Sequence, residues 1–501
     1  MTIHVEDRSP QEVTTQVFIA GLFEGEKPSE GGLGRLDASL ANRIERAIAS
    51  GDFAGKKNQV LELYGGTADG PRFMMIVGLG KRETIVAEHV RRCFGTAGRR
   101  VRNARLNEIT VLPPVTGFDV DTQKQHIIAA LEGTALATYR YVRRSMDLDR
   151  YPMLKGLHVI GDGNVDKKVL NAAAKYASIT IDAVTYARDL VTTPAGDLYP
   201  EDYGKIAKEL AGGTIKVEVL DQKKLKALKM GALLAVGQGS THPPVLIHLT
   251  YEPKRTSTKT KTFAIVGKGV TFDSGGLDIK SAGGMRDMKV DMGGSATVMG
   301  VFKALDRLQP KCRVHGFIPA VENMTDGAAY HPGDVLTAYN KKTIEIDNTD
   351  AEGRLALADA LAYAVDKFKP DAMVDLATLT GAVVIGLGHW VTGAMSNNDD
   401  LYNLLFEAGE ATGERIWRLP MYSDYRQQIK SEIADLKNTG GRPAGTITAG
   451  KFLEEFVGDT PWTHLDIAGT ATDGPYSYTP HKELGTGVAV RLLLEALQRW
   501  A

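Results

Sequence analysis

Cys93 and Cys312 are the only thiols in 501 residues. That scarcity excludes a disulfide framework and any thiolate zinc cluster. It accords with a reducing compartment, so a cytoplasmic location is expected. Net charge is also lacking: at −1 the chain has no global field to draw in nucleic acid or an anionic membrane. Long apolar runs are missing as well. The stretch "LATLTGAVVIGLG" is broken by glycines and follows Asp375, so no transmembrane helix and no membrane partner are expected. The opening "MTIHVEDRSPQEV" has no apolar core of the kind a secretory signal needs. Fixed-period repeats and low-complexity tracts are absent too.

What is present is an ordinary globular composition, 43% apolar and 24% charged, in a chain too long for one core. Short β-like runs ("TQVFIAGLF", "FMMIVGLG", "EITVLPPV", "GLHVIGD") alternate with helical patterns over 84–103 and 123–143. That alternation predicts an α/β domain with a largely parallel sheet over residues 1–165. A long helix is expected over about 166–190, leading into a second, larger α/β domain within 166–501. Its strands are expected at 215–220, 245–251, 262–267, 313–319 and 372–376. The glycine turns "VGLGKR" and "VIGDGN" match neither phosphate-loop pattern and read as plain strand-to-helix turns. The segment "RRCFGTAGRRVRNAR" gathers Arg91, Arg92, Arg99, Arg100, Arg102 and Arg105. Such arginines can track phosphates, but the neutral total charge favours a solvated helix end over a nucleic-acid partner.

Two clusters carry chemistry. In "NTDAEGRL" (348–355), Asp350, Glu352 and Arg354 fall between a strand-like run, "KKTIEIDNTD", and a helix-spaced one, "RLALADALAYAVDKF". At such a corner backbone N–H groups are free and side chains can converge on a ligand. The bland alternative is a helix cap, with Asn348, Thr349 or Asp350 at the N-cap and Glu352 in the first turn. In "TFAIVGKGVTFDSGGLDIKSAGGMRDMKVDMGGS" (262–295), Lys268, Asp273, Lys280 and Asp291 stand among double glycines. Charged groups of this density are poor core material unless partnered. Asp273, Asp291, Asp350 and Glu352 together supply four negative charges, which two divalent cations would neutralise. The absence of histidine from both clusters counts mildly against a metal. On composition and spacing, a metal site and a salt-bridge network with Lys268, Lys280 and Arg354 both remain open.

The segments "VGKGVTFDSGG", "MKVDMGG", "NTDAEGRL" and "DLATLTGA" resemble the signature of the leucyl aminopeptidase (cytosol aminopeptidase) family, the dizinc exopeptidases. The likeness continues through "RDLVTTPAGDLYPEDY", "AGTITAGKFLEEF" and "PWTHLDIAGTA", in order over most of 185–490. The N-terminal third is similar only in architecture. The resemblance implies that the larger C-terminal domain is catalytic and built on a mixed central sheet. It implies two metal ions, Zn²⁺ or Mn²⁺, with Mg²⁺ or Co²⁺ as further candidates at one site. Asp273 and Glu352 would bridge them, Asp350 would complete one position, and Lys268 and Asp291 the other. Lys280 would stabilise the oxyanion, and Arg354 would hold bicarbonate as general base. Met288, Thr378, Leu379, Gly381, Ala468 and Ala471 match the positions that contact the substrate's first residue. Ala471 replaces a larger residue of some relatives, which implies a roomier pocket. The resemblance further implies peptide substrates with an N-terminal leucine or similar apolar residue, and a homohexamer.

Overall fold

The computed structural model describes residues 2–8, 12–29, 33–34, 38–64, 71, 73–142, 147–480 and 484–500. The chain forms two compact units, Met1–Asp182 with Pro475–Pro480, and Ala183–Gly474 with His481–Ala501. Helix Lys167–Thr192 spans the division between them in sequence.

In the first unit the apolar runs become strands: β1 (Ile3–Glu6), β2 (Val17–Leu22), β3 (Val60–Tyr64), β4 (Phe73–Gly78), β5 (Glu108–Leu112) and β6 (Gly156–Ile160). Their order is β1-β6-β5-β2-β4-β3, parallel throughout except for β3 against β4. Phe18, Ile19 and Ala20 on β2 and Ile76 and Val77 on β4 are fully buried. That is the continuous apolar reading of parallel strands covered on both faces. The edge strands β1 and β3 mix polar and apolar residues, partly exposed, and carry no comparable signal.

Helix Ala87–Asn103 holds most of the arginine-rich segment. Arg91 is buried, 2.6 Å from Glu88 and 2.9 Å from Glu132. Arg92 pairs with Glu88 at 2.7 Å and lies 3.9 Å over the Tyr476 ring. Arg99 donates to the carbonyls of Tyr476 and Thr479, and Arg100 meets Glu62 at 2.6 Å. These four guanidinium groups are therefore used in holding the unit together.

The second unit carries β7 (Ile215–Leu220), β8 (Val245–Tyr251), β9 (Thr262–Gly267), β10 (Gly269–Asp273), β11 (Arg313–Asn323), β12 (Val335–Thr337), β13 (Thr343–Glu345), β14 (Ala372–Ala377), β15 (Thr392–Ser396), β16 (Ile416–Arg418), β17 (Leu436–Lys437) and β18 (Trp462–Asp466). The main sheet runs β16-β15-β18-β14-β9-β11-β8-β7, with β10 added beside β11. It is mixed, as expected: β15 is antiparallel to β18, and β8 to both of its neighbours. Its centre, β18, β14, β9, β11 and β10, is parallel, so five carboxyl ends open on one side. In open α/β sheets that side binds ligands. β9 ("TFAIVG") and β14 ("AMVDLA") are buried at every residue, which makes the floor of that side rigid. A small sheet, β12-β13-β17, leads into residues 346–352.

Candidate metal centre

Each charged residue of the two sequence clusters leaves the fold where a strand or turn ends. Lys268 directly follows β9, Asp273 closes β10, and Asp291 lies in the 3₁₀ turn Met288–Met292. Asp350 and Glu352 precede helix Gly353–Phe368, and Arg354 is in its first turn. The capping alternative does not describe this corner. Glu352 occupies the N-cap in helical conformation, and its side chain makes no capping hydrogen bond. With no cap to make, the carboxylates point elsewhere.

They point at one another. Carboxylate oxygens of Asp273, Asp350 and Glu352 all lie within 4.8 Å of one another. Lys280 Nζ is 2.8 Å from Asp273 Oδ2 and 2.5 Å from Asp350 Oδ1. Lys268 Nζ is 2.8 Å from Glu352 Oε1 and 2.8 Å from Asp291 Oδ2, and it donates to the Thr378 carbonyl at 3.1 Å. Glu352 thus belongs to two groupings, one with Asp273 and Asp350, the other with Lys268 and Asp291.

The glycines explain how so many groups fit. A Cβ on Gly353 would come within 2.3 Å of Lys268 Cε and 2.5 Å of its Nζ. Gly275 has φ +86°, and a Cβ there would sit 2.9 Å from Asp350 Oδ1.

Electrostatics shows a site short of positive charge. Burial pushes Asp291 well above the usual carboxylate range, and Glu352 and Asp273 push it further against the pull of Lys268. Asp350 is pushed up to about 6, first by burial, with Asp273 and Glu352 adding to it against Lys280. Burial alone would lower both lysines, but the surrounding carboxylates outweigh it and raise them. Glu352 Oε2 is buried with no hydrogen-bond partner, an expensive state for an anionic oxygen. A set of hard carboxylate oxygens and one amine, with an orphaned oxygen at its centre, fits divalent cations better than two lysines alone. Arg354 is buried too. One of its nitrogens donates to the Asn438 carbonyl at 2.8 Å, its Nε has no partner, and burial lowers it to about 10. An orphaned guanidinium N–H suits a small anion.

The substrate-contact positions join the same cavity. It measures about 810 Å³ and is lined by every charged residue above and by Met288, Thr378, Leu379, Gly381, Ala468 and Ala471. Asp291 Oδ1 accepts from Thr378 Oγ1 at 2.8 Å, tying the apolar wall to the charged one.

Three supporting residues are not apparent from the sequence. Asn323, at the end of β11, donates to Asp273 Oδ1 at 2.8 Å and to the Thr349 carbonyl at 3.0 Å. Asn438 accepts from the Asp347 N–H at 2.8 Å and donates to the Asn348 carbonyl at 2.6 Å. Asp466 accepts from Leu379 N, Ala468 N and Thr380 Oγ1, so one buried carboxylate joins two of the loops that line the cavity. Asp466 stands in "PWTHLDIAGTA", and a buried-type strand ending in Asp before a glycine turn was the available signal.

Comparison with known proteins places this geometry. Residues 185–494 match the model of the cytosol aminopeptidase family, catalytic domain, and residues 19–145 match that family's N-terminal domain. The probable cytosol aminopeptidase of Desulfotalea psychrophila is 40% identical over 487 residues, 95% of each chain. That of Nostoc punctiforme is 41% identical over 498 residues, 99% of this chain and 98% of the relative. Among solved structures, a mutant of tomato leucine aminopeptidase aligns with TM-score 0.88 and 34% identity, over 100% of this chain and 96% of that one. The bottromycin maturation enzyme BotP in complex with Mn aligns with TM-score 0.83 and 34% identity, over 97% and 99%.

Proposed function

The chain belongs to the cytosol aminopeptidase family, and from that premise we propose that it cleaves leucine and other apolar residues from peptide amino termini using two divalent metal ions. Membership makes it a metal-dependent aminopeptidase. The observation that carries the finer reading is the double grouping around Glu352, with its buried unpartnered oxygen, beside an apolar wall.

Asp273, Asp350 and Glu352 would hold one ion. Lys268, through its neutral amine, and Asp291 would hold the other, with Asp273 and Glu352 shared. Zinc follows from the family resemblance, and manganese is supported by the BotP complex. Bound there, such a pair supplies Lewis-acid polarisation of the peptide carbonyl and a nucleophile at neutral pH. The substrate's free α-amino group and its carbonyl would both address the metal pair, which restricts cleavage to chain ends. The protein's own groups do the rest. Met288, Ala468 and Ala471 accept the apolar side chain, and the Leu379 N–H, donated to Asp466, fixes the stretch of wall on which Thr378 and Leu379 stand. Lys280, at the cavity wall, donates to the oxygen that gains charge as the carbonyl is attacked. Arg354 would hold bicarbonate, whose chemistry is to accept a proton. A homohexamer and a cytoplasmic location accompany this reading by resemblance to the family. Among the described residues no helix is long and apolar enough to cross a membrane.

Leucinamide and N-acetyl-leucinamide test the proposal. Hydrolysis of the first and none of the second is expected; equal rates would remove the α-amino requirement.

A further inference from the structure

The cavity wall contains one solvent-facing cation that the reaction above does not use. Arg442 lines the same cavity and is exposed. Lys268 and Lys280 are each held between two carboxylates, and Arg354 is buried. Arg442 differs: among the described residues no carboxylate lies within ion-pair distance of it. Asp347, which lines the same cavity, accepts at Oδ2 from Thr439 Oγ1 at 2.5 Å.

The backbone that carries Arg442 is held, not loose. Asn438, four residues earlier, is fixed by Arg354 and by the Asp347–Asn348 backbone, so the loop is tied to the corner that supplies Asp350 and Glu352. Gly441 has φ +80°, and Ala444 is in the left-handed region at +55°, an unfavourable conformation for a residue with a side chain. Pro443 follows Arg442 and restricts its backbone to extended forms. A strained, anchored loop that presents an unpaired guanidinium to a cavity suggests a ligand group of opposite charge.

We propose that Arg442 binds the C-terminal carboxylate of a short peptide, making free di- and tripeptides the preferred substrates; this rests on the aminopeptidase reading above. The cavity then addresses both ends of a short peptide: the metal pair that Asp273, Asp291, Asp350 and Glu352 would hold takes the neutral α-amino group, and the cationic rim faces the carboxylate. A guanidinium pairs with a carboxylate through two parallel hydrogen bonds, which gives orientation as well as affinity.

The test uses the metal-loaded full chain and three substrates: leucinamide, a leucyl dipeptide with a free carboxylate, and the same dipeptide C-terminally amidated. The unmodified protein should show a kcat/KM about tenfold higher for the free acid than for the amide, the scale of one charge-assisted pair. Arg442→Ala should bring that ratio to about one, Arg442→Lys should restore part of it, and Arg442→Glu should invert it. Added salt should narrow the ratio in the unmodified protein, because the guanidinium is exposed. A ratio of one in the unmodified protein, or a ratio that survives Arg442→Ala, overturns the proposal. Leucinamide separates the two layers: its failure in the unmodified protein counts against the underlying aminopeptidase reading, not against Arg442 alone. Metal content and melting temperature of the variants show whether a changed ratio comes from the rim or from a damaged fold.

Discussion

Lys268 Nζ lies 2.8 Å from Glu352 Oε1 and crosses the space that a side chain on Gly353 would fill. Lys268 is 3% exposed, so it can clear an added methyl group only by leaving its place between Glu352 and Asp291. Gly353→Ala should therefore displace the lysine and lower kcat by about 10²-fold, the scale of a small misplacement at a reacting centre. The helix itself should not suffer, because Gly353 is its first residue and alanine there is no worse a helix former than glycine. Activity lost with melting temperature kept is the expected pair of results. A variant that melts early while its folded fraction turns over normally would show that Gly353 serves only packing.

A second prediction separates shared from terminal ligands. Glu352→Ala should empty both metal positions, whereas Asp291→Ala and Lys268→Ala should mainly empty one. Stoichiometric metal analysis of the three variants decides it, and equal losses in all three would contradict a bridging Glu352.

Lys280 and Arg354 are expected to fail in different ways. Lys280→Ala should keep its metals and lose on the order of 10²–10³ in kcat, the scale of one oxyanion donor. It should retain its response to added bicarbonate, while Arg354→Ala should lose that response. If instead both variants chiefly lose stability, the charged residues form a structural network, since removing one partner strands another buried charge.

Much of this was legible in the sequence. The buried strands β9 and β14 and the corner at 348–355 follow from apolar runs and helix spacing, because both patterns are local. Gly353 is different: its role depends on a lysine 85 positions away, and no local pattern distinguishes it from a glycine in any turn. Asn323, Asn438 and Asp466 are likewise single polar residues at strand or loop ends, where such residues are routine. The function of Asn323 and Asp466 appears only when the parallel strands bring those ends to one side, and that of Asn438 only when β17 pairs with β13 and brings it to residues 347–348. The short edge strands β1, β3 and β16 carry no legible pattern, because mixed exposure blurs their periodicity.

A prediction away from the site concerns pH. His248 and His315 face each other on β8 and β11, with ring nitrogens 3.0 Å apart, and both are buried. Burial lowers His248 to about 4. Burial, then His248 and Arg313, lower His315 to about 3. In the unfolded chain each takes up a proton near pH 6.5. Their neutral pairing thus contributes its full stability above about pH 6.5 and loses it as pH falls toward the folded values. Between pH 6.5 and 5 the loss should be about 2 kcal/mol per histidine. Denaturant midpoints across that range should decline in the unmodified protein and decline less in His315→Gln. Parallel curves would contradict the assignment.

The most direct test of the central claim is a titration of chelator-treated protein with Mn²⁺, recording bound metal by mass spectrometry and leucinamide hydrolysis on the same samples. Activity should be absent in the metal-free chain and should reach its plateau as the second equivalent per chain binds. Full turnover without metal, or a plateau complete at one equivalent, would contradict a paired-metal centre at Asp273, Asp291, Asp350 and Glu352.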